Sequence, residues 1–154
     1  MAPTQYTHWD VLLASPTAPM PEAKRLHQLM MMWMGLAAME QGKEPTPNDW
    51  RVVSDAVNLL ETFVIQGTAT DDSGLLMDAI TALALSGKRH LKGGSLRLDG
   101  PGMAAVRAVL EDYAALLDVL PARTVIQCHR ATETRLRQIY AGKSQKHDIE
   151  IIGI

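Results

Sequence analysis

The most reactive side chains of this sequence do not assemble into a recognisable catalytic set. Gly142-Lys143-Ser144 has the ending of a phosphate-binding loop. That loop requires a glycine five residues before Gly142 and a strand ahead of it, whereas Arg137 stands there and a helical pattern precedes it. Cys128 and His129 are adjacent, so on one helix they project about 100° apart and form no direct nucleophile and base. Cys128 reads as a small buried hydrophobe, and His129, in the middle of an apolar face, as a hydrogen-bonded core or interface histidine. The histidines at 8, 27, 90, 129 and 147 include no i, i+4 pair, and Asp71, Asp72 and Asp78 follow no calcium-loop pattern. Neither a metal nor a cofactor is expected.

Charge carries more information. Up to Gly87 the chain has four lysines and arginines against ten acids, and from Lys88 onward eleven against seven. Such polarity is compatible with an anionic partner for the C-terminal half, with head-to-tail self-association, or equally with no functional meaning. Arg123, Arg130 and Arg137 recur a heptad apart on one side of the last helix, and Lys88, His90, Lys92 and Arg97 precede it as a second basic group. These seven are the candidate phosphate-contacting residues for DNA or RNA. Against that reading, Glu133 is spaced to pair with Arg130 and Arg137 on an ordinary solvated face, and no aromatic residue interleaves with the bases as a stacking platform would require. The methionines at 30, 31, 32, 34 and 39 have soft-metal chemistry, but on a helix they read as adaptable packing, with Met31, Met32 and Met34 the candidate partner interface.

The elements that would hold these residues are mainly helical. Thr7 and Asp10 have capping-box spacing for a short helix over 7–14 that carries Trp9 and Leu12 inward, and Pro16, Pro19 and Pro21 make the following connection extended. A helix over 21–41 is apolar nearly all round and must be central or meet a partner. Thr46-Pro47-Asn48-Asp49 starts the next, whose stripe of Trp50, Val53, Val57, Leu60 and Val64 runs to Gly67. The pattern predicts a buried helix over 74–86 that Gly87 stops. It then predicts a β-hairpin over 88–98 turning at Gly93-Gly94, with Leu91, Leu96 and Leu98 to the core. Asp99 caps a fourth long helix with the seam Met103, Val106, Leu110, Tyr113, Leu117 and Leu120. Pro121 interrupts it and begins a fifth to Ala141, the two forming an antiparallel hairpin. Residues 147–154 are β-like and predict a C-terminal strand or tail.

The fold class expected is therefore a mainly α, single-domain bundle of about five helices, with an N-terminal extension over 1–20 and a small β appendage. A chain of 154 residues with 47% hydrophobic and 21% charged residues is long enough to bury one real core. One cysteine rules out an internal disulfide, and the sequence begins with neither a signal peptide nor an apolar run that spans a bilayer. A cytoplasmic protein that does not enter membranes is the expectation.

The blocks beginning Pro47-Asn-Asp-Trp-Arg-Val-Val, Gly74-Leu-Leu-Met-Asp-Ala and Leu96-Arg-Leu-Asp-Gly-Pro-Gly resemble small uncharacterised proteins of bacterial prophages and other mobile elements. The resemblance covers about Trp9 to Ile152 and transfers no catalytic residue. It implies an accessory role, acting on host machinery or phage DNA. The function expected is a non-enzymatic accessory protein that binds a protein partner or itself. The alternative is a nucleic-acid-binding accessory protein that uses the basic half.

Overall fold

Two threonines start helices by the same reciprocal bond. Thr46 Oγ1 accepts from the Asp49 backbone N–H at 3.2 Å while Asp49 Oδ2 accepts from that of Thr46 at 2.8 Å, and Thr7 and Asp10 repeat the arrangement. Aspartate thus serves at the third helical position where glutamate is usual. The computed structural model describes residues 5–41 and 43–142. Its elements are α1 (His8–Leu13), α2 (Glu22–Glu40), α3 (Pro47–Ile65), α4 (Leu76–Leu91), α5 (Gly100–Val119) and α6 (Ala122–Tyr140), with no strand among the described residues.

The hub is α3, which packs against α2, α4, α5 and α6. The sequence pattern instead marks the 21–41 helix as central or meeting a partner and the 74–86 helix as buried. The amphipathic stripe of α3 is buried as predicted for Trp50, Val53, Val57 and Leu60, but its polar residues Ser54, Asn58, Glu61 and Thr62 are buried too. Close approach is permitted by glycines in the neighbouring helices. A Cβ on Gly35 of α2 would stand 2.3 Å from Val52 Cγ2, and one on Gly87 of α4 would stand 2.9 Å from the Trp50 ring. Gly87 does not stop α4; it lets the indole lie against that helix, where Trp50 Nε1 donates to Leu83 O and Ser86 Oγ, each at 3.0 Å.

The β-hairpin predicted over 88–98 is absent for a related reason. α4 continues to Leu91, and Gly93, at φ +88°, closes it: the Gly93 N–H donates to His90 O and the Gly94 N–H to Arg89 O, both at 2.9 Å. Positive φ suits a hairpin turn and a helix C-terminal cap equally, and here it serves the cap. The following residues run as a connection pinned by Glu44, whose carboxylate accepts from Ser95 Oγ at 2.7 Å and from the Leu96 N–H at 2.8 Å. Leu96 is then fully buried, whereas Leu91, expected in the core, is exposed.

Two smaller corrections concern the first and last helices. Trp9 and Leu12 point outward, and Val11 is the buried residue of α1. α5 and α6 are not a tight antiparallel pair: Leu120 and Pro121 are both extended and re-aim the chain, so α6 packs on α3 and α1 while α5 packs on α4, α3 and α2. The N-terminal segment is tied to α6 through the Ala122 and Arg123 N–H groups, which donate to Ala18 O at 2.8 Å and Ser15 O at 3.0 Å. The strand expected over 147–154 lies outside the described residues. Among the described residues no helix is long and apolar enough to cross a membrane.

Candidate functional site

α6 runs beside α3 in the same direction, as the bonds between them show. Cys128 Sγ donates to Leu59 O at 3.3 Å, Thr132 Oγ1 lies 2.6 Å from Thr62 Oγ1, and Arg135 reaches the Glu61 carboxylate and, at 3.2 Å, Asn58 O. Every member of this network is wholly or largely buried. Burial pushes the Cys128 thiol up to about 12, which keeps it protonated and disqualifies it as a nucleophile. Sequence reading does not find the Glu61–Arg135 pair, because 74 residues separate the partners and neither helix marks them locally.

Beside the middle of the same two helices lies a cavity of about 280 Å³. α2 contributes Gln28, Met31 and Met32, α3 Asp55, α5 Tyr113 and α6 His129. Its polar groups are poorly satisfied. Gln28 Nε2 donates to Tyr6 Oη at the long distance of 3.5 Å, leaving Oε1 buried without a partner, and His129 Nε2 is likewise buried without one. The His129 ring meets Tyr6 edge-on at 5.0 Å between centroids, and burial pulls its pKa down to about 4, so the imidazole is neutral near pH 7. Burial also drives up the Tyr113 hydroxyl. Asp55 stands at the mouth: its side chain reaches solvent, yet the protein crowds its carboxyl enough that desolvation raises it to about 6 against the opposing charge of Arg51. The lining thus offers a neutral imidazole, a phenol, an amide, a reluctant carboxylate and the ring of His27. They contain no activated nucleophile, and no group of His, Cys, Asp or Glu among the described residues could hold a metal ion.

Comparison with protein-family models, curated proteins and solved structures finds no match for the chain.

The seven basic residues singled out above belong to three parts of the fold: the end of α4, the connection after it and α6. Lys88 and Lys92 are exposed and His90 half-buried at the C-terminal end of α4, which packs on α3 and α5; the arginines belong to α6, which packs on α3 and α1. Arg97 donates to Gln41 O at 2.7 Å and lies 3.5 Å from Glu44. Arg123 donates to Val11 O at 3.1 Å and Leu12 O at 3.2 Å, Arg130 is half-buried, and Arg137 lies 3.9 Å from Glu133. Much of the charge asymmetry is answered internally, since Arg97, Arg107 and Arg135 of the basic half pair with Glu44, Glu40 and Glu61 of the acidic half.

Of the three methionines expected at an interface, Met32 is a core residue at 3% exposure, Met31 borders the cavity, and Met34 is exposed. Met34 continues a ridge that sequence reading did not isolate: Leu26, Met30 and Met34, at 58%, 53% and 60% exposure, stand one turn apart on the side of α2 opposite buried Met32, Leu36 and Met39. The signal was present as apolar residues all round the helix.

Proposed function

We propose that this protein is a non-enzymatic interaction module that associates with a second copy of itself through the outer ridge of α2. The observation that carries the reading is the alignment of Leu26, Met30 and Met34 on solvent, directly away from the core. Residues at i, i+4 and i+8 form the ridge type that packs into the grooves of another helix at about −50°, and a two-fold axis brings one such ridge against its equivalent. Methionine side chains adapt to that contact at little cost in strain. An accessory role of the kind implied by the prophage resemblance suits such a module. The alternative of a phosphate-contacting face has less support, because Arg97 and Arg123 spend donors on carbonyl groups of the chain itself.

Sedimentation velocity on the full chain tests the proposal. The wild type is expected to dimerise in the micromolar range, and Met30→Lys to sediment as a monomer with an unchanged circular dichroism spectrum. A wild type that stays monomeric throughout, or a dimer that Met30→Lys leaves intact, overturns it.

A further inference from the structure

The fold sorts the methionines sharply by exposure. Met20, Met32 and Met39 are buried in the core, whereas Met30, Met34 and Met77 each expose roughly half of their surface or more. A thioether has no proton to lose, so its reactivity toward a two-electron oxidant follows access to the sulfur. The chain's one thiol offers no competition, because Cys128 is buried and desolvation keeps it protonated. Met30 and Met34 differ from Met77 in where they stand. They lie one turn apart on the outer ridge of α2, whereas Met77 lies at the start of α4. Leu26 completes that ridge, and none of its three side chains can donate a hydrogen bond.

We propose that Met30 and Met34 form a reversible modification site, at which a peroxide oxidises both thioethers to sulfoxides and thereby releases the dimer. Such control rests on self-association through the α2 ridge and gives that contact an off state. At each sulfur a lone pair attacks one peroxide oxygen and the O–O bond breaks. Sulfur gives up two electrons, and the hydroxide that leaves takes the remaining proton of the transferred oxygen to become water. The product replaces a flexible apolar side chain with one that carries a strong acceptor. Closing the ridge on its equivalent would then bury sulfoxide oxygens with no donor on Leu26, Met30 or Met34 to meet them, and the two-fold axis doubles their number. Association also shields the two sulfurs, since the ridge is the contact. Oxidant therefore reaches them in the monomer, and mass action draws the remaining dimer apart as that monomer is consumed. Sulfoxide reductases, one for each epimer, return the thioether.

The test treats full-length protein with hydrogen peroxide, maps sulfoxides by peptide mass spectrometry and compares treated with untreated samples by sedimentation velocity. Sulfoxide is expected at Met30, Met34 and Met77 but not at Met20, Met32 or Met39, with an unchanged circular dichroism spectrum and a dimer at least about tenfold weaker. Above the dissociation constant, Met30 and Met34 should oxidise several-fold more slowly relative to Met77 than they do in dilute protein. Treatment with both reductases should restore the dimer. Met77→Leu should respond to peroxide as the wild type does. Met30→Gln/Met34→Gln, which installs polar side chains of similar length, should weaken association without oxidant. A dimer that persists with Met30 and Met34 oxidised, a loss that the reductases do not reverse, a response abolished by Met77→Leu, or undiminished association of the glutamine variant would overturn the modification site. An untreated protein that is monomeric at every concentration, or a dimer in which Met30 and Met34 are not shielded relative to Met77, would overturn the self-association as well.

Discussion

α3 and α6 build two polar regions in parallel, and they differ in how the carboxylate of each is compensated. Glu61 and Arg135 form one; six residues earlier on each helix, Asp55 and His129 belong to the other. In the first, Arg135 binds the Glu61 carboxylate while also donating to Asn58 O at 3.2 Å and Thr62 Oγ1 at 3.4 Å, so a deeply buried charge is compensated from several sides. In the second, His27 but no lysine or arginine lines the space beside Asp55, and His129 Nε2 and Gln28 Oε1 are buried without a partner. A buried carboxylate held by its own guanidinium fixes how two helices dock, whereas one at the surface of a pocket leaves that contact free of a charge pair.

The sharpest way to break that distinction is to remove one partner of the closed network. Arg135→Met leaves Glu61 buried at 8% side-chain exposure without its cation. Such a change costs about 3–5 kcal/mol, whereas replacing both members with apolar residues of similar volume is often neutral. Urea unfolding should therefore show a large loss for Arg135→Met and most of it restored in Glu61→Leu/Arg135→Met. A single variant that unfolds at the wild-type midpoint would mean that the pair does not organise the α3–α6 contact.

The open region is sharpened by pH. His129 titrates at about 4 in the folded chain against an ordinary 6.5, so the unfolded chain takes its proton first as pH falls. Its contribution is complete above 6.5 and is lost progressively down to about 4, a change on the order of 3 kcal/mol at about 1.4 kcal/mol per pH unit. Asp55 works in the opposite direction: raised to about 6 from 3.8, it contributes fully below the lower value, and that contribution disappears as pH rises through the higher one. Urea midpoints of wild type and His129→Gln, compared between pH 7 and pH 4, should diverge steadily toward acid, with the variant the more stable. Parallel curves would show that His129 is not held neutral by burial.

The sequence made the helical architecture legible wherever the signal was local. Thr46 with Asp49, the seam from Met103 to Leu117 and the glycine stop at 67 each lie within a few turns of the helix that they define. Gly87 and Gly93 show where local reading fails, since a glycine that stops a helix, packs under a tryptophan or caps a C-terminus has the same side chain. The choice among these depends on Trp50 and on where α4 ends, which are tertiary facts. The cavity was less legible still. His129 was marked as a histidine on an apolar face, but Asp55, Gln28 and Tyr113 come from three other helices and resemble ordinary surface or seam positions. α3 concealed most, because its polar residues suit a solvated face until a parallel α6 covers them.

The smallest expected effect bears most directly on the open region. Asp55→Asn removes a carboxylate that the fold desolvates, so at pH 8, where the wild-type group is ionised, the variant should melt slightly above the wild type. At pH 5 the folded wild type already carries most of that proton, and the advantage should shrink. Arg51 opposes the effect through its charge and the side chain has access to solvent, both of which keep the gain modest. Differential scanning calorimetry at the two pH values reads the sign. A variant less stable at pH 8 would show that the carboxylate is already compensated, as Glu61 is, and the two regions would no longer differ in kind. A variant more stable at pH 8 would place Asp55 among residues that the fold holds at a cost to stability.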